Sequence, residues 1–192
     1  GVPSSLDERI DSLLSGKRMT VGVSAVCGSF SYVRNARVRF PLMSVFKVHV
    51  AMKVLSDLAA GGTSLDTIVH VERAMLHENT YSPLRDAYPT GDVDISVAEL
   101  MRYSVAESDN NACDILIALA GGVRQIDRYV RSLGVKGFSL KYDEDGMHRD
   151  LTNCYDNWSR PEAMTQLMQL IFESNTPLYE PLRRIMAATV TG

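Results

Sequence analysis

A hydroxyl and an amine lie three positions apart in Ser44-Val45-Phe46-Lys47, where the sequence predicts the start of a helix. Positions i and i+3 share one helix face, so the Lys47 amine can reach the Ser44 hydroxyl. A free serine is a poor nucleophile and needs a base nearby, and burial in an apolar helix favours the neutral amine that could act as that base. The simpler interpretation is a capping serine followed by a lysine that extends into solvent.

A second polar group, Ser108-Asp109-Asn110, separates two predicted helices. One interpretation is plain N-capping of the second helix. The other is catalytic: Ser108 would relay a proton, and the amide of Asn110 would bind a substrate carbonyl.

A third candidate lies in residues 141–158, a polar and aperiodic stretch that predicts a long loop. Loops longer than about 12–15 residues are uncommon and are usually functional or disordered. Its cluster Asp143-Glu144-Asp145 is either a solvated acidic turn or the source of a general base that activates water.

The elements that must position these groups begin with a capped helix near residues 5–16 and an antiparallel hairpin over 19–39. Residues 44–60 follow as a helix that is apolar on almost every face, which is typical of a buried central helix. The remainder is predicted to be helix and loop, with helices at 97–106, 111–120, 123–133 and 178–188, and one from Ser159 onwards. Two of these helices are predicted to begin at capping boxes, Ser96-Val97-Ala98-Glu99 and Ser159-Arg160-Pro161-Glu162. Two strands alone make a marginal sheet, so we expect further strands beside the hairpin.

Composition excludes several classes of function. A net charge of −3 without a basic block gives no footprint for nucleic acid. No apolar run approaches the roughly 18–20 residues that span a bilayer. Cys27, Cys113 and Cys154 are predicted to be free, mostly buried thiols, with one disulfide left open, and their spacing from the four histidines predicts no zinc site. Without a leader before Gly1, we expect a chain that is either cytosolic or secreted and already processed.

The combination of S-x-x-K with S-D-N is the signature of class A β-lactamases and penicillin-binding proteins, and the chain resembles class A over most of its length. Residues 40–47 resemble the nucleophile region of that family, and Tyr81-Ser82-Pro83 resembles its aromatic gate. Glu144 falls where the family's omega loop carries the deacylating glutamate. Residues 144–148 and 155–159 are similar to the PER-type and Bacteroides-type branch.

Four departures from the family pattern stand out. His148 and Asp114 occupy positions where most class A enzymes carry asparagine, and Tyr142 stands where an arginine usually anchors the omega loop. We therefore expect a different loop geometry. The family's third motif, K-T-G, is absent from the sequence, and we expect it downstream of Gly192 together with the remaining strands.

The resemblance implies an α+β fold of the β-lactamase/transpeptidase type, in which an α/β sandwich packs on an all-helical domain. Residues 1–42 would belong to the sandwich, and 43–192 mainly to the helical domain with its omega loop at about 141–158. It implies a periplasmic, monomeric enzyme that acts on β-lactams and needs no metal or cofactor, with Ser44, Lys47, Ser108 and Glu144 as catalytic residues and Tyr81, Asn110 and His148 as substrate-binding residues.

Three alternatives stay open on the sequence. A penicillin-binding DD-peptidase shares the first two motifs, but it lacks a deacylating glutamate such as Glu144. A serine-dependent glutaminase shares S-x-x-K and fits S-D-N less well. The third alternative is a non-catalytic, truncated fragment of a β-lactamase that needs a complementary chain.

Overall fold

A computed structural model describes residues 40–41 and 46–191 of the chain. The predicted first helix and hairpin, within 1–39, lie outside the described residues, and so does the predicted nucleophile Ser44.

The helix α1 (Lys47–Ala60) forms the centre of the described fold. It is buried over most of its length, as its all-round apolar sequence predicts, and it packs against helices from several directions. It ends at Gly61, and Gly62 follows with φ of +66°, a left-handed conformation that glycine adopts without strain. The two polar side chains at its buried start are Lys47 and His49, each 1% exposed.

Residues 46–191 contain seven further α-helices, of which α3, α4, α5 and α8 contact α1 directly. They are α2 (Pro83–Ala87), α3 (Val97–Ala106), α4 (Asn110–Leu119), α5 (Val123–Ser132), α6 (Glu144–Arg149), α7 (Pro161–Phe172) and α8 (Glu180–Thr191). Short 3₁₀ helices occupy Arg73–Met75, Leu151–Asp156 and Pro177–Tyr179.

The described strands form two small antiparallel sheets. β1 (Phe40–Pro41) and β4 (Phe138–Ser139) both pair with β5 (Trp158–Ser159), which lies between them. β2 (Ile68–Val71) pairs with β3 (Val93–Ser96), with Ile68 opposite Ser96 and Val71 opposite Val93. The first sheet places Phe40–Pro41, which precede α1 in the chain, next to the end of the predicted long loop.

The predicted helices at 97–106, 111–120 and 123–133 are present to within a residue or two. The β2–β3 pair was not predicted. The predicted loop at 141–158 is not structureless, because it contains α6 and a 3₁₀ helix. The predicted cap at Ser159 is wrong: its side chain donates to the Arg160 carbonyl, and α7 begins without a side-chain cap.

Candidate active site

The amine of Lys47 is the point where three separate segments meet. Lys47 is the first residue of α1 and is buried. Its Nζ donates to Asn110 Oδ1 at 2.7 Å and to the Ser108 carbonyl at 3.2 Å. It also lies 3.3 Å from Glu144 Oε1. The structure thus brings together the second motif, the loop glutamate and the lysine of the first motif.

Ser44 stands three residues before Lys47 in the sequence and lies outside the described residues. Its role as nucleophile is therefore a prediction from the S-x-x-K motif. The described site is the environment into which that hydroxyl would have to project.

Ser108 forms a strained corner between α3 and α4. Its φ of +54° places a residue with a side chain in the left-handed region, which most non-glycine residues avoid. The residue is 1% exposed, and its Oγ has no hydrogen-bond partner among residues 40–41 and 46–191. A buried hydroxyl without a hydrogen-bond partner is destabilising. The Ser108 hydroxyl therefore has an unused donor and acceptor with which to bind a reacting group.

Asp109 fixes the corner rather than facing Lys47. Its carboxylate caps α4 by accepting from Ala112 N at 2.8 Å, and it also accepts from Ser82 Oγ at 3.0 Å and Leu84 N at 2.6 Å. Burial raises the pKa of Asp109, while these hydrogen bonds oppose the shift. The capping interpretation of the motif is correct for this residue.

Asn110 connects Lys47 to the segment that precedes α2. Its Oδ1 accepts from Lys47, and its Nδ2 donates to Thr80 Oγ1 at 2.8 Å. Its backbone N–H donates to the carbonyl of Tyr81, a residue that is 41% exposed. Thr80 carries no motif in the sequence, and sequence reasoning did not identify it.

Glu144 begins α6, and it is buried. Its Oε1 makes an ion-pair contact with Lys47 but no aligned hydrogen bond with any described residue. Burial raises the pKa of Glu144, and the neighbouring Lys47 opposes that shift. A carboxyl group that is held next to an amine and shielded from bulk water has the properties of a general base.

The side chain of Asp114, on α4, holds the backbone at the start of α6. Its two carboxylate oxygens accept from Glu144 N at 2.8 Å and from Asp145 N at 2.9 Å. Burial raises the pKa of Asp114 to about 8, and the charges of Asp143 and Glu144 add to the effect. The departure from asparagine noted in the sequence thus lies in direct contact with the backbone of the candidate base.

Asn157 closes the base of the loop that carries Glu144. Its side chain is fully buried, and it accepts from Lys141 N at 2.7 Å and Tyr142 N at 3.0 Å. Its Nδ2 donates to the Tyr142 carbonyl at 2.7 Å and contacts Met147 Sδ at 3.5 Å. Related enzymes carry an arginine at the position of Tyr142. Here the side-chain amide of Asn157 holds the backbone of Tyr142. Sequence reasoning assigned no role to Asn157, although it lies in the stretch 155–159 that resembles the PER-type branch.

His148 lies on α6 one turn after Glu144 and is partly buried. Its Nδ1 has no hydrogen-bond partner among the described residues, and its charge would favour ionisation of Glu144. A cavity of about 210 Å³ is lined by groups from the corner, the omega loop and the segment before α2, including Asn110, Glu144, His148 and Thr80.

Within 40–41 and 46–191, no group of three or more His, Cys, Asp and Glu side chains could hold a metal ion. None of the helices described combines the length and apolarity needed to cross a membrane.

A buried helix thus presents its first lysine to a Ser-Asp-Asn corner and a loop glutamate. Residues 5–192 match the family model described as "Beta-lactamase enzyme family". The chain belongs to the β-lactamase enzyme family.

Individual relatives agree with this assignment. A β-lactamase of Bacteroides uniformis is 45% identical over 98% of this chain and 66% of its own length. The extended-spectrum β-lactamase PER-1 of Pseudomonas aeruginosa is 37% identical over 97% of this chain and 62% of its own length. The crystal structure of a class A β-lactamase from Bacteroides cellulosilyticus superimposes with a TM-score of 0.75 at 41% identity, over 79% of this chain and 55% of that one.

These comparisons confirm the predicted resemblance to class A and the predicted α+β fold. The chain spans about two thirds or less of the length of these relatives.

Proposed function

We propose that the protein hydrolyses β-lactams through an acyl-enzyme on Ser44. The observation that carries this proposal is the convergence of Ser108, Asn110 and Glu144 on the buried amine of Lys47. The family membership of the chain supports it further. Here "the full-length enzyme" means a protein of its relatives' length that contains this chain.

In the first step, Ser44 Oγ bonds to the lactam carbonyl carbon. Its proton passes either to Lys47 or, through a water molecule, to Glu144, and both are buried beside each other. The lactam C–N bond breaks, and the nitrogen takes a proton from Ser108. Lys47 can then return a proton to Ser108. Asn110 would bind the carbonyl of the substrate's side chain, and Tyr81 would border the entrance, as its exposure allows.

In the second step, Glu144 takes a proton from water, and the resulting hydroxide attacks the ester carbonyl. The ester bond breaks, Ser44 recovers the proton that Glu144 took from water, and the acid product leaves. His148 lines the same cavity and would contact the substrate or this water. These roles need no metal and no organic cofactor.

We also propose that residues 1–42 belong to the sandwich domain, that residues 43–192 form mainly the helical domain with its omega loop at about 141–158, and that the enzyme works as a periplasmic monomer. Cell fractionation and the molar mass in solution test the last two points.

The test of the function is hydrolysis of nitrocefin by the full-length enzyme. We expect turnover in the wild type and a fall of at least about 1000-fold in Ser44→Ala, because the nucleophile is lost. A D-Ala-D-Ala peptide serves as the control substrate, since a DD-peptidase would cleave it. Cleavage of that peptide without turnover of nitrocefin would contradict the proposal.

A further inference from the structure

The side-chain amide of Asn110 has a fixed orientation. Its oxygen faces Lys47 Nζ, which donates to it at 2.7 Å, so its nitrogen must face the other way, where Thr80 Oγ1 accepts from it at 2.8 Å. An amide is planar, and two fixed bonds in that plane leave one direction for the remaining N–H. Asn110 is 6% exposed and lines the cavity beside Glu144.

The segment that carries Thr80 is itself anchored at several points. Arg85 Nη1 donates to the carbonyls of Thr80 at 2.7 Å, Glu78 at 2.8 Å and His77 at 2.8 Å. The backbone of the same segment is anchored at His77, whose N–H and C=O both bond to the side chain of Asn111, at 3.0 Å and 3.1 Å. The hydroxyl of Thr80 is thus presented to Asn110 by a segment that Arg85 and Asn111 hold by its backbone.

We propose that Thr80 is a positioning residue that aims the free N–H of Asn110 at the acylamino carbonyl of a β-lactam. The inference rests on the proposed function. With Thr80 in place, the amide can neither rotate nor flip without losing a hydrogen bond at each end. Thr80 therefore sets a preference for substrates that carry an acylamino side chain over substrates that lack one.

The test compares benzylpenicillin, which has an acylamino carbonyl, with 6-aminopenicillanic acid, which has a free amine in its place. Thr80→Val keeps the shape of the side chain and removes the acceptor. In the full-length enzyme, we expect the ratio of kcat/KM for benzylpenicillin to that for 6-aminopenicillanic acid to fall about tenfold, which corresponds to the loss of one hydrogen bond. Thr80→Ser keeps the acceptor and should retain the wild-type ratio.

The same pair of substrates separates this inference from the function on which it rests. If the wild type hydrolyses neither these compounds nor nitrocefin, the proposed function fails. If it hydrolyses nitrocefin alone, the function stands and the substrate preference assigned to Thr80 is wrong. If the wild type hydrolyses both and Thr80→Val slows both equally, the function stands and the positioning role of Thr80 is wrong. Thr80→Ala, at a partly exposed position, gives the same comparison if the valine variant does not fold.

A double-mutant cycle with Asn110→Ala supplies a readout that a purely structural role would not move. Without the amide there is nothing for Thr80 to aim, so Thr80→Val should leave the substrate ratio unchanged in that background. A further fall of the ratio in the double variant would show that Thr80 acts on specificity by another route.

Discussion

The Ser108–Asn111 corner and the omega loop both reach Lys47, but they are held in different ways. In the corner, the side chains of the motif reach outwards, and Asp109, Asn110 and Asn111 all bond to the segment of residues 77–84. In the omega loop, the backbone is the part that is held: Asp114, on α4, binds the start of α6, and Asn157, near the end of the loop, binds its base.

This difference separates the parts of the site that can be changed independently. In the corner, a residue that holds the structure is also a residue of the motif, so a substitution disturbs position and chemistry together. In the omega loop, Asp114 and Asn157 make backbone contacts and leave the side chain of Glu144 untouched. The position of Glu144 can therefore be altered while the corner keeps its contacts with Lys47.

The largest effect is expected from removing the carboxylate of the omega loop while the corner is left intact. In Glu144→Gln, nitrocefin should still acylate Ser44, and the rate of deacylation should fall by about 100- to 10,000-fold, because the general base is gone. Mass spectrometry of the intact protein should show a stable adduct within minutes of mixing.

The control for this variant is Asp145→Asn, the next residue on α6, whose carboxylate lies towards Arg149 rather than Lys47. It should release the product as the wild type does. Rapid release from Glu144→Gln would show that the corner, and not the omega loop, supplies the base for deacylation.

The corner was more predictable from the sequence than the omega loop. The helices around it have local signals: Ser96 accepts from Glu99 N as its capping box predicts, and Asp109 caps α4. The contacts that position Asn110 and Glu144 join residues about thirty positions apart, such as Thr80 with Asn110 and Asp114 with Glu144. No local pattern encodes such pairs.

The strands illustrate the same limit. β2 and β3 are four residues each, and Val69 pairs with Ile95 across a long connection, so neither strand shows an extended alternating pattern by itself. Resemblance to a family could identify Glu144, since it transfers a position along with its role. It did not identify Asn157, because the resemblance of residues 155–159 to the PER-type branch carried no role for that side chain.

The next effect in size concerns the contacts that Asn157 makes at the base of the omega loop. Asn157→Ala removes a buried side chain that serves two backbone N–H groups and one carbonyl. We expect the free energy of unfolding of the full-length enzyme to fall by about 2–4 kcal/mol, because the partner groups remain buried without hydrogen bonds. Urea denaturation measures the change.

Asn153→Ala is the matched control, since Asn153 lies in the same loop and donates one hydrogen bond, to the Gly146 carbonyl at 3.1 Å. It should cost less than about 1 kcal/mol. If the two substitutions have equal effects, Asn157 does not hold the loop more firmly than any other amide in it.

The smallest effect is expected from the charge of Asp114. Burial raises the pKa of Asp114 to about 8 in the folded protein, from an ordinary value of 3.8. Between these values the folded state holds a proton that the unfolded state has released, so the free energy of unfolding falls as pH rises. In Asp114→Asn, position 114 does not titrate. Between about pH 5 and pH 8, the free energy of unfolding of this variant should therefore fall by less than that of the wild type, by on the order of 2 kcal/mol.

Asp114→Asn also loses one hydrogen-bond acceptor at the start of α6, and this loss lowers stability equally at both pH values. The slope of the unfolding free energy against pH is therefore the quantity to compare. Asp66→Asn, at an exposed position, controls for the removal of a carboxylate and should keep the wild-type slope. Equal slopes for the wild type and Asp114→Asn would mean that Asp114 stays ionised over this range. The omega loop would then be fastened by a permanent charge, and its attachment to α4 would be as insensitive to pH as the amide contacts of the corner.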